Sequence, residues 1–499
     1  MPLGIAGVIE GFYGRPWTWD ERVEVMGFCH DRGMTHYLYA PKDDPKHRQE
    51  WREPYTAGEL DGFRRLVGAG GLAVGFAVSP GLSIDYGSAE DRSALMAKLD
   101  QALGAGITLV CLALDDIPLR DGLGEEHAEL TAWVYERLGD GARLLLVPTE
   151  YVGTAPSAYL DALAAGVPDD VPIGWTGASV VNDTITAGQA RARATALGDR
   201  PPLLWDNFPV NDGVMGDRLF MGPLRGREPG VADECCGYLA NPMVQPRCSK
   251  LPLASVAAWL RGEDPDEAWA AEAGPARVFA EACDGTVPRA LVAALVEEAD
   301  GPGWPGAAAR LATWLRDAAG CEAPGMGDEA APWVEQVRAE AGAGLVALRL
   351  YQVTRPVVRI DGDGRGRAAP PDADAAVRLA FALAVRWGAL RRSPVSVMGP
   401  RWGFRPSLGQ RPGGGWRLLP EALQEDENAI DALARLAMGE AAHEPGPAPL
   451  WVGADGTEVE VGADGSFTVA PDAIVLARAG GAVTRTLVPA EPPVDDRRL

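Results

Sequence analysis

Along the first 250 residues, short apolar runs alternate with longer stretches of helical period. The runs are Gly4–Ile9, Thr35–Ala40, Leu72–Val78, Thr108–Leu114, Arg143–Val147, Val171–Trp175, Pro202–Trp205 and Cys236–Leu239, with starts 28 to 37 residues apart. Between many of them lie stretches rich in Ala, Leu, Arg and Glu, such as Asp20–Arg32, Ala57–Ala69, Glu90–Leu103 and Ser157–Ala165. Leu253–Leu260 supplies an eighth helix. Eight strand–helix units in about 260 residues predict an α/β fold, a (β/α)₈ barrel over residues 1–262. A doubly wound open sheet is the structural rival, and eight regular units favour closure.

From residue 263 the pattern changes. Ala271–Ala282, Pro288–Ala299, Ala307–Ala319, Ala331–Tyr351 and Asp372–Arg391 repeat every 3.6 residues, which predicts a helical bundle domain over 263–392. Residues 393–445 read as a loop-rich segment plus one helix, Glu421–Met438, and Pro445-Gly446-Pro447 marks a linker. Over 446–499, β-forming residues around two copies of Gly-Ala-Asp-Gly, at 453–456 and 462–465, predict hairpin turns in a small β-rich tail.

Composition narrows the partners. The net charge is −24, divided evenly: residues 1–250 hold 35 acids and 22 bases (−13), the remainder 35 and 24 (−11). This argues against nucleic acid and against an anionic membrane surface. No apolar run reaches the length of a membrane span. The N-terminus has neither a basic n-region nor an apolar h-region, so the chain as given reads as cytoplasmic. Seven irregularly spaced Cys do not form a disulfide framework, and the vicinal Cys235-Cys236 reads as a reduced pair at a buried strand. Only Lys42, Lys46, Lys98 and Lys250 are lysines among 46 basic residues, so each hints at a site that wants a compact ammonium.

Polar and aromatic residues cluster where the runs end: Glu10 to Gly14, Pro41 to Asp44, Asp115-Asp116, Thr149 to Tyr151, Trp175 to Gly177, Trp205 to Asn207, and Asn241. Active sites of such barrels lie at the strand C-termini, where the loops converge. Asp115-Asp116 reads either as an acidic strand end or as a catalytic pair whose mutual repulsion separates its pKa values, leaving one carboxyl protonated as a general acid. Neighbouring strand side chains face opposite ways, so both reach one ligand only where the strand twists into its loop. Trp175, Trp205, Tyr13 and Tyr151 suit the walls of a sugar pocket, although Trp175 fits the core equally well. Asn207, Asp212, Asn241 and Lys42 suit sugar hydroxyls; for Asn207 and Asp212 turn formation competes. The five His are scattered without ligand spacing, and no metal or cofactor is expected. Asp361-Gly-Asp-Gly lacks the closing glutamate of a calcium loop. No phosphate loop or Gly-x-Ser-x-Gly elbow occurs.

Several of these segments resemble one family. Gly7-Val-Ile-Glu-Gly-Phe-Tyr-Gly-Arg-Pro-Trp17, Tyr37-Leu-Tyr-Ala-Pro-Lys-Asp-Asp44, Asp115-Asp-Ile117, Pro148-Thr-Glu-Tyr151, Trp175-Thr-Gly177, Trp205-Asp-Asn207 with Asn211-Asp212, and Asn241-Pro242 are similar, in order, to glycoside hydrolase family 84. The family comprises β-N-acetylglucosaminidases and includes O-GlcNAcase. The resemblance covers residues 4 to about 260 and implies substrate-assisted retaining hydrolysis of terminal β-linked GlcNAc. It implies that Asp115 orients the 2-acetamido group, Asp116 is general acid then base, and Tyr151 hydrogen-bonds the acetamide. It further implies that Trp205, Asp206 and Asn207 shape the acetamide pocket. Gly11, Lys42, Asp212 and Asn241 would bind sugar hydroxyls. The expected partner is a GlcNAc-bearing glycan or glycoprotein; monomer or homodimer stays open. Two rivals stand beside this reading: a hexosaminidase acting on hyaluronan or another glycosaminoglycan, which the acidity disfavours, and a catalytically silent glycan-binding module.

Overall fold

The structure is a computed structural model that describes residues 4–298, 304–353, 373–390, 392–399 and 428–441. It adds the backbone of nine short strands between Val357 and Thr486. The Asp361-Gly-Asp-Gly segment and both Gly-Ala-Asp-Gly turns lie outside the described residues. The chain divides into two compact units, residues 1–274 with 325–330, and residues 275–324 with 331–499.

The first unit is a barrel of eight parallel strands: β1 Ile5–Glu10, β2 His36–Tyr39, β3 Ala73–Val78, β4 Leu109–Ala113, β5 Arg143–Val147, β6 Gly174–Trp175, β7 Leu203–Asp206 and β8 Gly237–Ala240. Regular pairing runs β5-β4-β3-β2-β1-β8-β7-β6. The circle closes at β5/β6 through the bridge Leu146–Ile173 and a bond from Leu146 N to Pro172 O of 3.0 Å. β6 is shorter than its sequence run because Pro172 has no N–H to give to a ladder.

Side chains alternate across the wall. Ile5, Ile9, Leu38, Ala40, Leu109, Cys111, Leu145, Val147, Leu203, Trp205 and Leu239 fill the barrel interior. Their neighbours Val8, Tyr37, Tyr39, Val110, Leu112, Leu144, Leu146, Leu204 and Tyr238 belong to a second layer packed with residues of the surrounding helices. Those helices start where hydroxyl caps place them. Thr18, Thr56 and Thr186 form capping boxes with Glu21, Glu59 and Gln189, while Ser88 and Ser157 cap two more. The eighth helix begins at Pro246 rather than Leu253, because proline is preorganised for a first turn; Pro252 is then carried inside it. Cys235 and Cys236 are free thiols, Cys235 buried just before β8. No described helix is long and apolar enough to cross a membrane.

Among the described residues the second unit is mainly helical: Arg277–Asp284, Thr286–Glu297, Trp304–Ala319, Ala331–Val353, Ala373–Leu390 and Ala429–Ala441. Gly344 lets Leu315 and Ile430 close over the long helix. The expected helix Ala271–Ala282 is instead two, ending at Ala273 and restarting at Arg277, since Gly274 turns left-handed and Pro275 cannot donate. The loop-rich reading of 393–420 missed the antiparallel pair Pro406–Gln410 and Trp416–Pro420. In the tail, Leu450–Val452 pairs with Glu458–Val459, as a hairpin requires. The strands flanking the second Gly-Ala-Asp-Gly do not pair with one another, because Ser466–Thr468 lies against Arg365–Ala369.

Candidate active site

In six of the strands the interior phase continues into the loop, and that phase selects the site. Counting by twos from Ile9 gives Gly11 and Tyr13, from Ala40 gives Lys42, from Cys111 gives Asp115, from Val147 gives Tyr151, from Trp205 gives Asn207, and from Leu239 gives Asn241. All seven line one cavity of about 590 Å³, counting the part open to solvent. Asp116, Thr176, Val180, Val181, Val210, Asp212 and Met215 complete its wall with Val147 and Trp205.

Asp116 is out of phase with Asp115, yet both face the cavity. Asp116 has φ +55°, a left-handed backbone that an Asp tolerates, and this folds the second carboxyl back toward the first. Asp115 is buried. The Lys42 ammonium donates to its Oδ2, while Oδ1 has no hydrogen-bond partner among the described residues. Lys42 is itself buried and lies 5.7 Å from the Trp205 ring centroid. Asp116 stands nearer the mouth and accepts from two phenols, Tyr13 at Oδ2 (2.7 Å) and Tyr151 at Oδ1 (2.8 Å).

The groups around Asp116 favour its ionised form. Burial pushes its pKa up, but the Lys42 charge, the two phenol bonds and the Arg48 guanidinium outweigh it, so Asp116 is held below the ordinary carboxylate range. The same contacts act oppositely on the phenols. Burial and the Asp116 carboxylate raise both Tyr13 and Tyr151, which stay protonated as donors. Burial also raises Asp212, helped by the charge of Asp116; its Oδ2 accepts from the Tyr13 amide at 2.7 Å.

The Trp205 side of the cavity is a hydrogen-bonded frame. Trp205 Nε1 and Asn241 Nδ2 both donate to Asn207 Oδ1 at 2.9 Å, Asn207 Nδ2 donates to Val180 O at 2.8 Å, and the Gly11 amide donates to Asn241 Oδ1 at 3.2 Å. Each amide nitrogen keeps a second hydrogen for a ligand. Gly11 is required here, because a Cβ would overlap the Trp205 indole.

Two sequence candidates are not brought in. Asp206 points outward, one residue out of phase with Trp205. Arg227 grips both its oxygens (2.6 and 2.8 Å) and the Tyr238 hydroxyl adds a third bond at 2.7 Å. Trp175 is fully buried in the outer layer, its Nε1 donating to Gly153 O, so it is core rather than pocket wall. Sequence reasoning missed Arg48, buried behind Tyr13 and Asp116. Its only signal was a cluster of three basic residues, Lys46-His47-Arg48, immediately beyond an acidic strand end. His47 is buried as well, Nδ1 against Ala77 O, and burial together with the Lys42 charge lowers it to about 4.

A barrel with paired carboxylates at a strand end and an amide-lined cavity beside them is the architecture of a glycoside hydrolase. The family profile described as beta-N-acetylglucosaminidase matches residues 6–286, and the chain belongs to that family, as the motif resemblance implies. Protein O-GlcNAcase of Rattus norvegicus and that of Mus musculus are each 32% identical over 275 residues, 52% of this chain and 30% of theirs. The match thus spans less than a third of those relatives. Among solved structures, a mutant O-GlcNAc hydrolase of Thermobaculum terrenum aligns with TM-score 0.70 and 25% identity over 80% of this chain and 92% of the other. CpGH84B aligns with TM-score 0.68 over 80% of this chain and 75% of its own at 22% identity, a likeness of fold.

Proposed function

We propose that the chain is a retaining exo-β-N-acetylglucosaminidase that removes terminal β-linked GlcNAc, O-GlcNAc on Ser or Thr included, by substrate-assisted catalysis. The observation that carries this reading is the setting of Asp115, a buried carboxyl on a residue that lines the cavity, with one oxygen taken by Lys42 and the other buried without a hydrogen-bond partner among the described residues. An unpaired buried acceptor is costly unless a ligand supplies the donor. The N–H of a 2-acetamido group is such a donor, and bonding it raises the nucleophilicity of the acetamide carbonyl oxygen.

In the first step that oxygen bonds to C1 while the C1–O bond to the aglycone breaks, giving an oxazolinium ion whose N–H stays hydrogen-bonded to Asp115; Asp116 delivers a proton to the departing oxygen. In the second, Asp116 takes a proton from water, whose oxygen bonds to C1 and reopens the ring. Asp116 must first gain its proton. A sugar that draws the Tyr151 hydroxyl to its acetamide and expels water removes one of the bonds that keep Asp116 ionised, and burial then raises it. Trp205 and Asn207 frame the acetamide, Tyr151 donates to its oxygen as charge develops, and Lys42, Asp212, Asn241 and Gly11 serve hydroxyls. The O-GlcNAc hydrolysing activities named for the relatives agree with this assignment.

The test is an aryl β-GlcNAc assayed beside hyaluronan, with a GlcNAc-derived thiazoline as inhibitor. Turnover of the aryl glycoside, with the thiazoline binding on the order of 10²-fold or more tighter than GlcNAc, is expected, because the bicycle imitates the intermediate. Inhibition no better than that by the free sugar overturns neighbouring-group participation.

A further inference from the structure

Arg48 belongs to no part of the mechanism above, yet it touches the proposed general acid twice. Its Nη1 donates to the Tyr13 hydroxyl at 2.8 Å, and that hydroxyl donates to Asp116 Oδ2 at 2.7 Å. Its Nη2 donates to the main-chain carbonyl of Asp116 at 3.3 Å, the residue whose backbone is left-handed. Nη1 also lies 3.7 Å from Asp116 Oδ2, and the guanidinium is 5.7 Å from the Tyr13 ring centroid. Arg48 is buried, and its own amide is fixed to Pro45 O. A guanidinium only donates, so the Tyr13 oxygen must accept from it and can only donate onward. The chain Arg48, Tyr13, Asp116 therefore has one polarity.

We propose that Arg48 is a positioning residue for the general acid, acting through Tyr13 on the Asp116 carboxyl and directly on its main chain. The proposal rests on the reading of Asp116 as acid and base. Arg48 holds the left-handed turn that brings Asp116 beside Asp115, and it keeps one phenol bond on the carboxyl after Tyr151 leaves for the acetamide. A forked, planar cation meets both acceptors, which a single ammonium does not. The charged and titratable groups around Asp116 among the described residues are Tyr13 beyond β1, Lys42 and Arg48 beyond β2, Asp115 beyond β4, Tyr151 beyond β5 and Asp212 beyond β7. Of these only Arg48 reaches both its carboxyl and its backbone.

The experiment measures kcat/KM against pH for a series of aryl β-GlcNAc substrates, with wild type, Arg48→Gln, Arg48→Lys and Tyr13→Phe, and thiazoline affinity as the check on pocket integrity. Arg48→Gln should lose on the order of 10-fold or more on substrates with poor leaving groups and much less on activated ones, as expected when proton delivery is impaired. Removing the cation should also move the basic limb of the profile to higher pH, and Arg48→Lys should restore the limb but not the leaving-group dependence. Tyr13→Phe, on a partly exposed side chain, breaks the same relay without opening the core and should steepen the dependence too. An equal loss across all leaving groups with an unmoved limb in both Arg48→Gln and Tyr13→Phe overturns the proposal. Absence of turnover by wild type would instead overturn the glycosidase reading itself.

Discussion

Two strand ends carry an aspartate beside a pocket residue, and they use it in opposite ways. At the end of β4, Asp115 follows the interior phase and Asp116 should face outward, but a left-handed residue brings it in, where two phenols and a guanidinium receive it. At the end of β7 the pleat stays regular. Trp205 and Asn207 face inward, and Asp206 is delivered to the outer layer, where Arg227 and Tyr238 neutralise it. A left-handed residue at the β4 end accompanies a carboxylate that lines the cavity, while the regular β7 end carries one sealed in the wall. An acid at a strand end is thus not by itself a functional signal; its phase, or a break in that phase, is.

The largest expected effect tests the β4 end. Asp116→Asn should cost on the order of 10²–10⁴ in kcat/KM for poor leaving groups and much less for good ones, with added azide speeding turnover where the second step limits. Asp115→Asn should slow the first step by similar factors across the series, with little azide rescue. A steep dependence in Asp115→Asn alone would exchange the two roles, and one in neither would remove both from the chemistry. The β7 end should respond in stability rather than in kinetics. Asp206→Ala strands a buried Arg227, at a cost of about 3–5 kcal/mol, read as a lower Tm or denaturant midpoint. If kcat falls as far as in Asp116→Asn while Tm holds, the contrast between the two ends is broken.

Smaller effects sharpen the picture. Gly11→Ala pushes a methyl into the Trp205 indole, an overpacking cost of about 1–3 kcal/mol, and should weaken thiazoline binding as the indole shifts. Unchanged affinity would show that the indole has room to move. The smallest is a pH effect on folding. Asp116 is shifted down, so the native state binds that proton less readily than the unfolded chain. Its contribution is complete above the unfolded carboxyl value of about 3.9 and is lost as pH falls through the lower native value. Asp116→Asn should therefore lose less stability than wild type on acidification into that range; parallel losses would mean the carboxyl is not ionised by its neighbours.

Much of this architecture was legible because local signals agreed. All eight strands lie where β-branched and apolar runs sit, and Thr18, Thr56 and Thr186 start helices where capping boxes put them. The pocket residues were legible through motif and position, and period-2 counting from Trp205 would have excluded Asp206 as well. Trp175 could not be sorted, since a tryptophan at a strand end fits wall and core alike until packing is known. Arg48 was hidden for a different reason. Its partners Tyr13 and Asp116 lie 35 and 68 residues away, and nothing local marks a loop arginine that the fold will bury. The second helical unit was read less well wherever Gly and Pro interrupt it, as at Gly274-Pro275, because a breaker marks a boundary but not the element beyond it.

The seam between β5 and β6 has one more consequence. Beyond the bridge Leu146–Ile173 it continues with a second, Val152–Gly177, through the bonds Thr176 N to Tyr151 O and Gly153 N to Gly177 O, both 2.9 Å, so Tyr151 sits on the joint itself. A stave held by so few rungs should breathe more readily than the fully laddered β1 to β4. Amide hydrogens of Leu146, Gly153 and Thr176 should therefore exchange with solvent deuterium well before those of Val8, Leu38 or Val110. The tyrosine that must trade one partner for another stands on the part of the wall with the least to lose by moving.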